Sequence, residues 1–259
     1  MKKLLTAFAM TQSMFCAIPF PCKTWKEEAR PYMLLFLPVV GLEIGAIWAG
    51  ANYLLVLLQV PDLIYGLVMC AIPYLISGFI HLDGFLDVTD AISSWRPLEK
   101  RRAILKDSNV GAFAVIWCVF LILAGFALFS SAADLASVSL QDAISETAPN
   151  WSLLFIPVVS RCCSAIAVMR LKPMTASQYS KSETYPRWPS VVLAFVVIIC
   201  TIICFLLCGK YGFVIIGGLC GYGLALWKSY RLLDGMNGDV SGYCLTISEL
   251  CAVAVFVLI

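Results

Sequence analysis

Seven long apolar runs constrain the fold of this chain more than any other feature of its sequence. They lie near residues 32–58, 62–80, 110–131, 151–170, 188–208, 212–229 and 242–259. Each is long enough, or nearly so, to cross a hydrocarbon core about 30 Å thick as a helix. Only 13% of the residues are charged, against about a quarter in soluble domains. The sequence therefore predicts an all-α, polytopic integral membrane protein.

The basic residues lie on alternate sides of these runs. Sixteen of the eighteen Lys and Arg residues fall in the N-terminal segment and in the loops at 81–109, 170–187 and 228–241. The seven apolar runs predict a bundle of about seven transmembrane helices. Because basic loops stay in the cytoplasm, we expect the N-terminus of this bundle to be cytoplasmic. No linker divides the chain, so residues 1–259 are predicted to form one domain. Within it, 1–30 is expected to be an amphipathic or re-entrant segment.

The most polar stretch between the runs is 81–111, HLDGFLDVTDAISSWRPLEKRRAILKDSNVG. Asp83, Asp87 and Asp90 are spaced i, i+4, i+7, which places three carboxylates on one face of a helix. A divalent cation relieves the repulsion among such like charges most simply, and carboxylate oxygens suit a hard ion such as Mg²⁺. Five basic residues follow over 96–106, so the stretch indicates phosphate chemistry at a membrane surface. A solvated loop whose bases only set orientation is the alternative.

A second polar segment, 234–242, holds three glycines around Asp239. Glycine permits close backbone approach to a ligand, and a run of free N–H groups can cradle phosphate. Gly238 and Gly242 are therefore candidate phosphate-binding residues. A simple turn between two spans uses the same residue types. The segment is predicted on the same side of the membrane as the aspartates at 83–90. We therefore interpret it as the second half of a metal–phosphate site.

Several other polar residues are open to two interpretations. Lys106, Asp107 and Ser108 precede the third apolar run, where a helix N-terminus would offer N–H donors to an anion. Asp107 or Ser108 could instead be an N-cap without a ligand. Arg161 lies inside an apolar run, where charges are costly, and is a candidate either for binding a substrate phosphate or for an ion pair with Glu43 or Glu249.

Two residue types argue against a zinc site. His81 is the single histidine of the chain, and a lone histidine is more often structural than a ligand. Nearly all of the twelve cysteines lie inside apolar runs, without a CxxC pair. Zinc sites in proteins need clustered Cys and His ligands. We therefore expect the cysteines to be small packing residues.

The motifs HLDGFLDVTD and LKDSNVGAF resemble the signature of the cobalamin synthase family, the adenosylcobinamide-GDP ribazoletransferases of bacterial membranes. The segment GMNGDVSG at 235–242, followed by Glu249, is similar to a second motif of that family. The chain departs from the pattern at Ala91 and Asp234, where glycine is common. Neither departure removes a presumed ligand, so both bear on local backbone geometry.

The resemblance implies a reaction. The adenosylcobinamide phosphate group would pass from adenosylcobinamide-GDP to α-ribazole or its 5′-phosphate, with release of GMP. The enzyme would depend on Mg²⁺ and would lie in the bacterial inner membrane, with its active site on the cytoplasmic face. Its partners would be these two substrates and the lipid bilayer, without a nucleic acid. A homo-oligomer, or a complex with other cobalamin-assembly enzymes, is left open.

The resemblance also implies roles for individual residues. The presumed metal ligands are Asp83, Asp87, Asp90 and Asp239. The candidate catalytic residues are Asp87, Asp90 and His81, of which His81 would orient substrate or move a proton. The candidate substrate-binding or phosphate-binding residues are Lys106, Asp107, Ser108, Arg161, Gly238 and Gly242.

Two other functions are compatible with parts of the sequence. A phospholipid-forming CDP-alcohol phosphotransferase also binds Mg²⁺ with aspartates at a membrane surface. Its DGxxAR order is absent here, because Leu86 and Asp87 stand where Ala and Arg would be. A membrane cation transporter would need ionisable groups near the middle of the membrane, whereas most acids here are predicted at a loop boundary.

Overall fold

The computed structural model describes residues 2–21, 24–136, 148–174 and 185–259. The helices are α1 (Lys2–Phe15), α2 (Leu37–Leu57), α3 (Asp62–Ile76), α4 (Ile80–Ser93), α5 (Leu98–Ile104), α6 (Ala112–Ala136), α7 (Ala148–Arg170), α8 (Arg187–Cys208), α9 (Phe213–Leu233) and α10 (Gly238–Leu258). The 3₁₀ segments Glu27–Phe36 and Gly209–Gly212 lead into α2 and α9. These ranges contain no strand, only an isolated bridge between Pro173 and Met236. The all-α prediction is confirmed.

Five segments of the described chain are long and apolar enough to cross a membrane, or six if α3 and α4 count together. They are Glu27–Leu57, Ala112–Ala132, Trp151–Arg170, Arg187–Leu233 and Gly238–Leu258. The 47 residues of the fourth would rise about 70 Å as one helix, more than twice the thickness of a hydrocarbon core. They form the two helices α8 and α9 instead. The polytopic membrane character is confirmed, while the number of crossings and the orientation stay predictions.

The second predicted run, 62–80, is interrupted by a sharp turn. The axes of α3 and α4 differ by 93°, and Gly78 and Phe79 between them both have a φ of 61°. Positive φ is costly for a bulky residue such as Phe, but the Phe79 N–H still bonds to the Tyr74 carbonyl, 2.9 Å away. The turn makes α4 a separate helix, so the region predicted as a loop at 81–109 is largely helical.

Several chain segments gather at the end of the bundle where α4 lies. The backbone N–H of Ala17, just after α1, donates to the carbonyl of Ile76 at the end of α3 (2.7 Å). Met174, just after α7, donates in the same way to Met236, just before α10 (2.9 Å). The structure thus brings the N-terminal segment and the two polar segments of the sequence to one end of the bundle.

The cysteines contribute to packing, as predicted. Every cysteine in the described ranges is free. Cys162, Cys204 and Cys244 are fully buried within the apolar clusters that hold the helices together. Small apolar side chains of this kind let helices pack closely inside a membrane.

Candidate functional site

The site is built where α4 crosses the start of α10, and glycine makes this crossing possible. A Cβ atom on Gly84 would lie 2.8 Å from the carbonyl oxygen of Asp239. One on Gly242 would lie 3.0 Å from the carbonyl oxygen of His81. Small residues let two helix backbones approach this closely. Gly242 therefore serves the helix crossing, which brings Asp83 beside Asp239.

A recess of about 460 Å³ lies beside the crossing, within the usual size range of about 300–1,000 Å³ for ligand pockets. Five of the predicted site residues line it: His81, Asp83, Lys106, Gly238 and Asp239. The other lining residues are Met14, Phe15, Leu34, Leu37, Ile80, Arg102, Leu105, Val168, Met174, Asn237 and Ser241. The recess therefore joins the two polar segments of the sequence with the end of α1.

Asn237 holds the carboxylate of Asp239 in place. Its side-chain Oδ1 accepts a hydrogen bond from the N–H of Val240 (2.8 Å), so Asn237 is the N-cap of α10. Its Nδ2 donates to Asp239 Oδ2 at 2.6 Å. Sequence reasoning missed Asn237, although an Asn directly before an apolar run is a recognisable helix start.

The three aspartates of α4 share a helix but not their surroundings. Asp83 lines the recess, whereas Asp87 and Asp90 do not. Burial, and then the negative charges of Asp239, Asp83 and Asp90, raise the pKa of Asp87 to about 7. The carboxylate of Asp90 lies against Gly111, where it would overlap any Cβ atom. The structure thus confirms a helix under the aspartates but brings only Asp83 to the recess.

The donor set fits one mode of metal binding. In the described part of the chain, no three His, Cys, Asp or Glu side chains are placed to hold a metal ion by themselves. Mg²⁺ does not need such a cage, because it usually binds one or two carboxylates, waters and substrate phosphates. Asp83 and Asp239 line the same recess and lie close enough for direct charge repulsion. This pair fits an ion that is shared with a bound phosphate.

The basic residues near the recess have different tasks. Arg102 donates from Nε to the carbonyl of Leu233 (3.0 Å) and from Nη2 to that of Asp234 (2.8 Å), which docks α5 on the end of α9. The hydrogen bond and charge of Lys172, and then the charge of Arg102, hold the pKa of Asp234 below its usual range. Lys106 lines the recess and has no ion-pair partner in the described residues, which leaves its charge available to a ligand.

Asp107 and Ser108 lie outside the recess. Asp107 Oδ1 accepts hydrogen bonds from the backbone N–H (3.0 Å) and from Nδ2 (2.7 Å) of Asn109. These bonds lower the pKa of Asp107, which is fully exposed. Helix α6 begins at Ala112, so neither Asp107 nor Ser108 is its N-cap. Asp107 shapes the loop that precedes α6.

His81 is enclosed at the edge of the recess. Its side chain stacks on the ring of Phe15, with 6.1 Å between the ring centroids. The residue is only 7% exposed, and its Nε2 has no hydrogen-bond partner among the described residues. An unpaired buried polar atom is uncommon and indicates a bound water or ligand group.

Arg161 forms one of the ion pairs that its sequence position left open. It is fully buried, and Nη1 donates to Glu249 Oε1 at 2.6 Å. Ser160 also donates to that oxygen, at 2.9 Å. These contacts reduce the cost of burying the two charges in this interior, while Arg161 Nε has no hydrogen-bond partner among the described residues. Arg161 does not line the recess. Glu43 instead accepts a hydrogen bond from Gln12 of α1.

The contribution of the N-terminal segment was not expected. Met14 and Phe15 at the end of α1 and Leu34 in the following 3₁₀ segment line the recess. Because these three residues are apolar, the sequence does not distinguish them from ordinary core residues. The hydrogen bond between Gln12 and Glu43 ties α1 to α2, and a polar residue inside this apolar run was the one available sign.

Comparison with known proteins gives a consistent family. A family model described as cobalamin-5-phosphate synthase matches residues 7–257. An adenosylcobinamide-GDP ribazoletransferase of Clostridium perfringens is 34% identical over 253 residues, which cover 96% of each chain. Those of Clostridium botulinum and Lachnoclostridium phytofermentans are 30% and 32% identical over 96% of this chain, and over 96% and 92% of their own. No solved structure gives a significant match.

Proposed function

This chain belongs to the cobalamin-5-phosphate synthase family, and from that premise we propose that it transfers the adenosylcobinamide phosphate group from adenosylcobinamide-GDP to α-ribazole or its 5′-phosphate. One observation carries the assignment to particular residues: Asp83, Asp239 and Lys106 line a single recess. The Clostridium and Lachnoclostridium relatives give no support to a phospholipid synthase or a cation transporter.

The proposed reaction is a displacement at phosphorus. A ribose hydroxyl oxygen of the acceptor forms a bond to the phosphorus next to the cobinamide arm, and the bond from that phosphorus to the oxygen of GMP breaks. GMP leaves with this oxygen, and the hydroxyl proton passes to a base. Such transfers need little covalent work from a protein, so positioning and charge stabilisation dominate. Lys106 would neutralise phosphate charge through a charge-assisted hydrogen bond.

We propose Mg²⁺ as the cofactor, held by Asp83 and Asp239 together with the substrate phosphates. When bound there, it would stabilise the charge that develops on the phosphate oxygens. Asn237 would keep the Asp239 carboxylate in position through its 2.6 Å hydrogen bond. Asp87 does not line the recess itself, but Asp239 and Asp83 repel its carboxylate. The positive charge of the ion would reduce this repulsion.

His81 is the proposed base among the three candidates, because it lines the recess and Asp87 and Asp90 do not. Burial, and then the positive charge of Arg161, hold the pKa of His81 well below its usual range, so the imidazole is neutral at pH 7. Its Nε2, which has no partner among the described residues, would accept the hydroxyl proton. The basic loops around the recess favour a cytoplasmic active site, in the inner membrane of a bacterium.

GMP release by the purified protein in lipid nanodiscs tests this function. We expect release that requires both substrates and Mg²⁺ and that stops in EDTA. Asp83→Asn should lower the rate by about 10²-fold or more, because a ligand to the phosphate-bound ion is lost. Asp62→Asn, at the far end of α3, serves as the control. Full activity in EDTA would contradict the proposed Mg²⁺ dependence. GMP release without the acceptor would contradict the proposed transfer.

A further inference from the structure

A second, smaller recess adjoins the first. It has a volume of about 260 Å³ and shares Met14, Phe15 and Leu34 with the larger one. Its remaining lining residues are Trp25, Glu27, Arg30, Met33 and Tyr185. The end of α1 therefore borders both recesses, and a molecule in one recess would lie next to a molecule in the other.

The second recess differs from the first in its chemistry. It carries two aromatic side chains, Trp25 and Tyr185, and the ion pair of Arg30 with Glu27. Trp25 is 54% exposed, and its Nε1 donates to Glu27 Oε1 at 2.7 Å. Glu27 also pairs with Arg30 through its other oxygen, 3.3 Å from Nη1. Glu27 thus orients both an aromatic face and a cation at the recess.

The size of the second recess limits what it can hold. Its 260 Å³ is below the range of about 300–1,000 Å³ that is usual for pockets that enclose whole ligands. It suits a bicyclic ring, and it is too small to enclose a guanosine diphosphate or a corrin macrocycle. In phosphoryl transfer the attacking and leaving oxygens lie roughly in line with the phosphorus. The acceptor must therefore approach from a different side than the one from which the guanine nucleotide leaves.

We propose that the second recess binds the heteroaromatic base of the acceptor nucleoside. The ring would stack on Trp25, and Arg30 would lie near a 5′-phosphate on the acceptors that carry one. The guanosine diphosphate part of the donor would occupy the larger recess with Lys106, so the bases of the two substrates would both lie against the end of α1. This assignment rests on the proposed function and specifies where its two substrates bind.

Steady-state kinetics test the aromatic contact. Trp25→Leu should raise the KM for α-ribazole on the order of tenfold, because base–aromatic stacking contributes substantially to nucleoside binding. The KM for adenosylcobinamide-GDP and the kcat at saturating acceptor should stay unchanged, and Trp25→Phe should keep most of the affinity. Trp95→Leu is the matched control, since Trp95 is 88% exposed and lines neither recess.

Equilibrium dialysis without donor tests the cation. Arg30→Gln should weaken binding of α-ribazole 5′-phosphate about tenfold relative to its effect on α-ribazole, because only the phosphorylated acceptor gains a charge-assisted contact. An acceptor KM in Trp25→Leu equal to that of the unsubstituted protein would overturn the proposal and leave Trp25 as an interfacial anchor. If the unsubstituted protein itself releases no GMP, the proposed function is contradicted. The two outcomes can be told apart, because an unchanged acceptor KM can be measured only in an active enzyme.

Discussion

Gly84 lies so close to the backbone of Asp239 that a Cβ atom at position 84 would be 2.9 Å from the Asp239 Cα atom. This contact joins the two polar segments of the sequence and sets how near Asp83 can come to Asp239. The distance between the presumed metal ligands Asp83 and Asp239 therefore depends on residue 84 having no Cβ atom.

Gly84→Ala is expected to push α4 away from α10. Misplacement of catalytic groups by about 1 Å can cost 10²-fold in rate, so GMP release should fall at least about tenfold. Gly223→Ala is the control, since a Cβ there meets nothing within 4 Å. If both variants keep the activity of the unsubstituted protein, the crossing does not position the carboxylates.

Asn237→Ser separates the two hydrogen bonds of Asn237. Serine is also a good N-cap, so the melting temperature should change little, while GMP release falls because Asp239 loses the amide that orients it. Asn237→Ala should lower both the rate and, by about 1 kcal/mol, the stability, since the cap is lost as well. Equal rates for Asn237→Ser and the unsubstituted protein would show that Asp239 needs no such support.

Lys106→Ala should raise the KM for adenosylcobinamide-GDP by roughly tenfold or more, because a hydrogen bond to a charged group contributes about 1.5–3 kcal/mol. Lys100→Ala, on the exposed side of α5 and away from the recess, should leave this KM unchanged. Comparable effects of the two substitutions would mean that the loop acts only through its overall charge.

The ties from Lys172 and Arg102 to Asp234 predict a specific pH dependence. These cations lower the pKa of Asp234 in the folded protein, so the carboxylate stabilises the fold above its ordinary pKa of about 3.9. This stabilisation is lost as the pH falls through the lower, folded-state pKa. Thermal unfolding should therefore show a constant difference between the protein and Asp234→Asn from about pH 8 to 5, which fades only below about pH 4. A difference that disappears between pH 7 and 5 would contradict the assignment to Asp234.

The charge distribution predicts which end of the bundle faces the cytoplasm. A cysteine at Lys100 should react with a membrane-impermeant thiol reagent only from the cytoplasm, and one at Asp62 only from outside. Labelling is measured as the increase over the unsubstituted protein, because Cys220 is exposed on the surface of the protein. Reaction of both positions from the same side would reject the predicted orientation.

The sequence by itself determined the properties that depend on neighbouring residues. The lengths of the apolar runs indicate membrane helices because backbone hydrogen bonds must be satisfied inside each segment in lipid. The i, i+4, i+7 spacing of Asp83, Asp87 and Asp90 indicates a shared helix face because helix geometry is local. The motifs around these residues indicated the family for the same reason, since each lies within one short stretch.

Tertiary structure alone decided which of these residues meet. Asp83 reaches the recess while Asp87 and Asp90 do not, because the turn at Gly78 and Phe79 and the crossing at Gly84 set the direction of α4. The partner of Arg161 and the place of α1 beside the recess likewise depend on contacts between segments far apart in the chain. A sequence pattern reports the face of a helix on which a side chain lies, and only packing decides what that face touches.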